Sequence, residues 1–273
     1  VTQAAEDREL DGLLAAVRCA SGVDFSRYAR TTVRRRVRDV AVRHGADVAA
    51  LSELARVDPV LLGEVVDALC VCVTSMFRDA EMFASYRALA LPHLRAGEPL
   101  RVWHAGCGTG EEVWSHAVVL EEEGLGAHAR LYGTDLSRPA LARAQAGLLP
   151  LDRMREYTET YLRAGGRAEF SSYYAVHGQA AVVCDRIRAR AVFGRHDLAA
   201  DPPLGTFDVV FCRNVLMYFE PALQDRVHAV VAESLRPGGI LVLGRGEALR
   251  AGVRAAYEDL DDRSRIYRRR ASG

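Results

Sequence analysis

Apolar residues recur at three- and four-residue intervals through the first 95 positions, and four stretches carry the pattern: Glu9–Ala20, Phe25–Arg43, Val48–Arg56 and Pro59–Leu69. Such spacing gives each helix one apolar stripe. Asp24 or Ser26 would cap the second helix, His44-Gly45 would end it, and Asp47 would cap the third. After Pro99 the period changes. Leu100–Ala105, Arg130–Gly133, Ala191–Gly194, Phe207–Cys212 and Gly239–Gly244 are short apolar runs, and Glu111–Glu123 and Pro221–Leu235 between them read as helices. Alternation of strand and helix predicts an α/β fold with a mostly parallel sheet covered on both faces. The chain divides accordingly into a small all-helical N-terminal domain, residues 1–95, and an α/β domain, residues 96–273, with a hinge in the polar, helix-breaking Leu94–Pro99. Residues 148–190 fit the alternation poorly and are expected to form a small inserted subdomain.

With 273 residues, 49% hydrophobic and 26% charged, the chain has room for these two parts and is neither disordered, collagenous nor a coiled coil. The longest uncharged apolar run, around Ala68–Val73, falls far short of the roughly 18–20 residues a membrane helix needs, and no basic-then-apolar leader precedes it. A cytoplasmic protein without membrane insertion is expected. The net charge is zero, and all 36 basic residues are arginine. A GC-rich genome produces that bias, so only a clustering of arginines points to an anionic partner. Six cysteines without regular spacing suit a reducing compartment. Cys70-x-Cys72 and His104-x-x-Cys107 lack further ligands at metal spacing, so no metal site is expected.

The strongest chemical signal is Arg101-Val-Trp-His-Ala-Gly106-Cys-Gly108-Thr-Gly110-Glu111-Glu112, a strand running through three alternate glycines into a helix. Glycines there let the backbone approach a ligand at the carboxyl end of the first strand. Asp135 closes the next strand about 25 residues on, where an acid accepts ribose hydroxyls. The spacing departs from the dinucleotide fingerprint, and Glu111 and Glu112 would repel a pyrophosphate while suiting a cation. S-adenosylmethionine carries an ammonium and a sulfonium and no phosphate, so it is the expected cofactor, with S-adenosylhomocysteine as product. His196-Asp197-Leu198 follows the third core strand, where Asp197 would meet adenine, and Arg213-Asn214 leaves the fourth strand facing the reacting carbon. No Asn-Pro-Pro-Tyr or Asp-Pro-Pro-Tyr stands there, which disfavours amino methylation of a flipped base.

These segments, with Tyr28-x5-Arg34-Arg-Arg, Thr74-Ser-Met-Phe-Arg78-Asp79, Gly133-Thr-Asp135-Leu-Ser and Phe207-Asp-Val-Val-Phe-Cys-Arg-Asn-Val-Leu-Met-Tyr-Phe219, make the chain resemble the CheR-type chemoreceptor glutamate methyltransferases over nearly its whole length. The resemblance implies a small helical domain, a Rossmann-like methyltransferase domain with an inserted β subdomain, and methylation of glutamates on receptor cytoplasmic helices. It also implies that Thr74 and Arg78 contact the methionine end of the cofactor, Glu111 or Glu112 its ammonium, Asp135 its ribose, Asp197 and Leu198 its adenine, and Arg213 with Asn214 the methyl region. Gly106, Gly108 and Gly110 form the cofactor loop. Cys72, Asp197, Val113-Trp114 and Gly244-Arg-Gly246-Glu247 differ from the family's usual residues.

A glutamate with a pKa of about 4.3 is already ionised at neutral pH and needs no general base. That suits a sequence in which no His–acid pair presents itself. Arg78 or Arg213 would hold one carboxylate oxygen while the other attacks, and Tyr218 would orient the substrate. Between Asp24 and Arg43 seven arginines face two aspartates; Arg27, Arg30, Arg34 and Arg38 follow helical spacing as one stripe, and Val33, Val37, Val40 and Ala41 form an apolar face. The stripe would attract an acidic receptor helix. No aromatic residues interleave it to stack bases, and the net charge is zero, so nucleic acid is not expected. A monomer acting on a chemoreceptor cytoplasmic domain is the reading. Its alternatives are a methyltransferase for another protein or a small-molecule carboxyl or hydroxyl group, and a non-catalytic S-adenosylmethionine-binding signalling module.

Overall fold

The computed structural model describes residues 3–70, 72–94 and 99–271, so the hinge expected at 94–99 lies largely outside the described residues. The chain forms two compact units, Val1–Val71 with Met217–Gln224, and Cys72–Leu216 with Asp225–Gly273. The first unit holds α1 (Gln3–Ser21), α2 (Arg30–Arg43), α3 (Val48–Val57) and α4 (Pro59–Leu69). Val33, Val37, Val40 and Ala41 are buried, as the apolar face of α2 required, together with Leu10, Leu13, Val17, Leu51 and Val65. Asp47 caps α3 by accepting from Ala50 N at 2.8 Å, and Asp58 caps α4.

The second helix starts at Arg30 rather than at Phe25. Tyr28 pairs antiparallel with Phe219, Ala29 N donates to Tyr218 O (2.8 Å), and Glu220 N donates to Arg27 O (3.0 Å). This short ladder claims the backbone that a longer helix would use. The Tyr28 ring meets Phe25 and Phe219 edge-on, each at 4.9 Å between centroids. Asp24 consequently caps no helix, and its carboxylate accepts from Ser26 N in a turn.

The second unit begins with α5 (Ala80–Ser85). Its strands are β1 (Leu100–Ala105), β2 (Ala129–Asp135), β3 (Leu148–Pro150), β4 (Tyr174–His177), β5 (Ala180–Val183), β6 (Ala191–Arg195), β7 (Phe207–Cys212), β8 (Leu235–Leu243), β9 (Tyr257–Asp261) and β10 (Ile266–Arg269). A seven-stranded sheet has the order β6-β2-β1-β7-β8-β10-β9; the first five are parallel neighbours, and β10 and β9 join antiparallel. The helices α6 (Glu111–Glu122), α7 (Arg138–Ala146), α8 (Met154–Arg163), α9 (Asp185–Arg188) and α10 (Pro221–Ser234) connect them. The central β1 has β2 on one side and β7 on the other, so the strand order reverses at the point where the glycine loop emerges. The segment 148–190 carries a separate antiparallel sheet, β3-β5-β4.

Residues 72–94, grouped by their helical pattern with the first part, belong to the second unit. Met76, Phe77, Met82, Phe83 and Tyr86 are buried in one core with Val113, Phe211 and Ile240. A buried ion pair ties this segment down: Arg87 donates to Glu122, to Glu123 (2.6 Å) and to Ala164 O (3.1 Å). Glu122 also accepts from the Tyr161 and Tyr173 hydroxyls and from Arg167 N and Ala168 N. Burial pushes the Glu122 carboxyl up, but its bonds to Tyr161, Arg167 N and Arg87 outweigh this and hold it below the usual range. Arg87→Ala leaves that carboxylate unpaired and should lower the unfolding free energy by about 3–5 kcal/mol in urea titrations near pH 7. Because the folded pKa is depressed, the contribution of Glu122 is complete above the unfolded value of about 4.3 and disappears as pH falls through the folded value. The stability gap between wild type and Glu122→Gln should therefore close in acid.

Candidate functional site

The loop after β1 is shaped by three glycines in left-handed backbone, with φ of +71° at Gly106, +56° at Gly108 and +92° at Gly110. Space enforces two of them. A Cβ at Gly106 would stand 2.5 Å from Val215 Cγ2, and one at Gly110 would stand 2.8 Å from Ala144 Cβ. At Gly108 a Cβ would make ordinary contact with Thr74 Cγ2 at 3.5 Å, so there the left-handed backbone rather than space calls for glycine. Asp135, the last residue of β2, braces this loop: one oxygen accepts from Gly108 N (2.8 Å) and the other from Ser137 N (2.9 Å). Burial raises its pKa, and these backbone donors oppose the rise. Each carboxylate oxygen keeps a second lone pair for a ligand hydroxyl.

Behind the loop the two glutamates point to different tasks. Glu111 is buried and accepts from Thr109 Oγ1 at 2.6 Å. Glu112 accepts from Arg213 Nη1 at 2.6 Å, with His104 Nδ1 at 3.3 Å on its other oxygen. Arg213 donates through its second terminal nitrogen to Asp79 Oδ2 at 2.5 Å. Its guanidinium is thus held between two carboxylates with a side chain 1% exposed, and its Nε finds no acceptor among the described residues. Burial pushes the Glu112 carboxyl up, but Arg213 and His104 more than offset this and hold it below the usual range. No His–acid pair is expected from the sequence, yet His104 and Glu112 form one, brought together across the β1–α6 turn. His116, one turn beyond Glu112 on α6, joins through His104, with Nδ1 3.1 Å from His104 Nε2.

Arg78 differs from Arg213. It donates to Val73 O at 3.1 Å and forms no ion pair among the described residues, neither with Asp79 nor with Glu81. Its neighbours Phe77 (φ +50°) and Asp79 (φ +56°) are left-handed, as is Asn214 (φ +58°) beside Arg213. Non-glycine residues in that region cost of order 1–3 kcal/mol each and persist only where the surroundings hold them. Asn214 is held by Glu247, whose carboxylate accepts from the backbone N–H of Asn214, Val215, Leu216 and Gly244 at 2.7–2.9 Å. A Cβ at Gly244 would lie 2.6 Å from the same carboxylate, so glycine is required there. Within the segment 244–247, which differs from the family's usual residues, Gly244 and Glu247 are the fixed points.

Among the remaining expected residues, Thr74 accepts through its carbonyl from Arg153 Nη1 at 3.2 Å. Asp197 accepts from Ala199 N at 2.8 Å, with a carboxyl raised by burial, and Leu198 is buried next to it. The structure thus joins Asp79, Glu112, Arg213 and His104 in one network, and Gly108 with Asp135 in another, within the second unit. Tyr218, Arg27, Arg30, Arg34 and Arg38 lie in the first unit. There the stripe is not a row of open charges, because α1 supplies counter-ions: Arg30 pairs with Asp11, Arg34 with Asp7 and Arg38 with Glu6, each at 2.5 Å. Arg27 precedes α2 and is exposed.

Comparison with known proteins decides the family. Residues 72–265 match the family described as "CheR methyltransferase, SAM binding domain". The chain belongs to the CheR methyltransferase family. Similar proteins include Cher3 of Pseudomonas putida, 36% identical over 265 residues that cover 96% of this chain and 97% of that one. A "Chemotaxis protein methyltransferase" of Listeria monocytogenes is 30% identical over 231 residues, covering 84% and 85%. "Chemotaxis protein methyltransferase 1" of Pseudomonas aeruginosa is 34% identical over 197 residues, covering 68% and 69%. This methyltransferase uses S-adenosylmethionine, and its residues fit that cofactor: three left-handed glycines shape the loop after β1, an acid stands at the end of β2, carboxylates rather than phosphate-binding cations follow the loop, and a buried Arg213 N–H lacks an acceptor among the described residues. Among the described residues no helix is long and apolar enough to cross a membrane, and no cluster of side chains could hold a metal ion.

Glu247→Gln would turn an amide NH2 toward backbone donors that now share one carboxylate. Stability should fall by about 2–3 kcal/mol, and S-adenosylmethionine binding measured by calorimetry should weaken with it as the Asn214 turn relaxes.

Proposed function

We propose that this methyltransferase esterifies glutamate side chains on the cytoplasmic helices of chemoreceptors. The observation that carries the reading is Arg78, a cation that donates to Val73 O and forms no ion pair among the described residues. His104 is bonded to Glu112 and His116, His116 to Tyr86, and His196 through Nε2 to Pro202 O, its buried Nδ1 having no partner among the described residues. An acceptor that arrives already ionised suits such a site, and a carboxylate does so at neutral pH. The names of the relatives in Listeria monocytogenes and Pseudomonas aeruginosa support the chemotaxis context.

S-adenosylmethionine, when bound, supplies an electrophilic methyl group on a sulfonium. Asp135 would accept the ribose hydroxyls with its spare lone pairs, Asp197 and Leu198 would border the adenine, and Thr74 with Glu111 would serve the amino-acid end. Arg78, committed only to a carbonyl, has the donors to hold a carboxylate. Arg213, with both ends already paired, is better suited to a fixed positive charge beside the reacting atoms than to a mobile clamp. The attacking and leaving groups lose opposite charges together, so alignment and exclusion of water matter more here than proton transfer.

Labelled methyl transferred to chemoreceptor-rich membranes from the protein's own source should be released by mild alkali as volatile methanol. Alkali-stable label would point to nitrogen or an ether oxygen and remove the glutamate reading; no transfer at all would favour a non-catalytic module.

The arginines of the first unit are proposed to meet the acidic receptor helix. Exposed ion pairs such as Arg38–Glu6 contribute about 0–1 kcal/mol, so a receptor carboxylate exchanges for a glutamate of α1 at little cost. Arg27 and Arg35 are exposed, and reversing both leaves the three pairs to α1 intact. Arg27→Glu with Arg35→Glu should raise the receptor KM several-fold, flatten its dependence on salt above about 0.15 M, and leave cofactor affinity unchanged. An unaltered KM and salt dependence would place receptor recognition elsewhere.

A further inference from the structure

A chain of buried polar groups leads into the Arg213 cluster from the interior of the second unit. Tyr86 Oη lies 3.1 Å from His116 Nε2, His116 Nδ1 lies 3.1 Å from His104 Nε2, and His104 Nδ1 lies 3.3 Å from Glu112 Oε1. Tyr86, His104 and His116 are each 0% exposed. An ionised carboxylate only accepts, so His104 Nδ1 carries the hydrogen of the last bond however the other protons are arranged. The His104 ring is further fixed by stacking on Phe211, 4.7 Å between centroids, two residues before Arg213. Glu112 then uses its second oxygen on Arg213 Nη1, and Arg213 uses its other end on Asp79.

We propose that His104 is a positioning residue for methyl transfer: its Nδ1–H sets the rotation of the Glu112 carboxylate, and Glu112 sets the place of the Arg213 guanidinium. The proposal rests on the reading above that Arg213 stands beside the reacting atoms. His116 and Tyr86 hold the imidazole from behind. Without the Nδ1 donor, Glu112 is held by Arg213 alone, and the other anchor of Arg213 is Asp79, which is 31% exposed on its side-chain surface. Misplacement of a charge by about 1 Å at such a site costs on the order of 100-fold in rate.

The test compares His104→Asn, His104→Gln and His104→Phe in the full chain. The side-chain amide of Asn overlays the Nδ1 position and can still donate to Glu112. Gln places its amide near the Nε2 position, and Phe keeps only the stack on Phe211. On receptor membranes labelled by the wild type, kcat should fall about 10- to 100-fold for Gln and Phe and stay within about threefold for Asn, with both KM values changed less than threefold. A role in packing alone would instead make activity follow thermal stability, without regard to which amide atom faces Glu112. Wild-type kcat in the Gln or Phe variant, or an Asn variant as impaired as Phe, overturns the proposal. Arg213→Gln separates the two levels: if it is fully active, the placement of Arg213 falls and the proposal with it; if it is impaired while His104→Phe is intact, the positioning role alone falls. A carbon-13 titration of the Glu112 carboxyl needs no substrate. It should move to higher pH in His104→Phe and remain in place in His104→Asn, and an unmoved titration in the Phe variant counts against the proposal even without a receptor assay.

Discussion

A guanidinium removed from water must be matched by carboxylates, and the second unit is organised around meeting that demand for Arg213. Glu112 reaches it from the start of α6 and Asp79 from the turn before α5, so one cation joins the loop after β7 to two elements that are remote in sequence. Removing Arg213 would leave the Glu112 carboxylate without its counter-ion, which is far more costly than the attraction within the cluster is favourable. Asp79 reaches Arg213 only because it and Phe77 accept left-handed backbone, and that twist leaves Arg78 between them with most of its donors uncommitted. The pairing of one arginine and the availability of its neighbour in space are thus products of a single turn.

Asp135 divides its capacity in a similar way. Asp135 is placed at the end of β2 by strand register, Ala105 lying opposite Thr134, and it spends one lone pair of each oxygen on backbone N–H groups. Because one of these belongs to Gly108, the residue expected to bind the ribose also sets the height of the loop that approaches it. Shape and chemistry are coupled through one side chain, and a substitution there alters both.

Local rules made much of this visible in the sequence. The glycine loop, the strand before it and the acid at the end of β2 are contiguous segments with fixed spacing, and the apolar face of α2 needed only a 3.6-residue period. The features that stayed hidden involve partners distant along the chain. Nothing near Phe25 announces that Phe219 will pair with Tyr28 and delay the helix. The arginines at 30, 34 and 38 look like an open stripe until α1 brings Glu6, Asp7 and Asp11 beside them. The β9–β10 hairpin has no alternation of charged and apolar residues to mark it, and residues 72–94 carry a helical pattern yet contribute their aromatics to the core of the sheet. His104 sits in a mostly apolar strand, and only the fold turns it toward Glu112.

The carboxylate of Glu247 has a consequence for how this segment can vary. It gathers N–H groups from Gly244 and from residues 214–216, while Arg245 and Gly246 between the two fixed points are exposed. The connection behaves like a buckle with a free strap: the first and last positions are closed by backbone hydrogen bonds, and the middle two carry none of that load. Residues 245 and 246 can therefore be exchanged to suit whatever passes in front of them while the turn bearing Asn214 keeps its shape. A departure from family habit at these two positions changes the face shown to solvent and leaves the catalytic frame as it was.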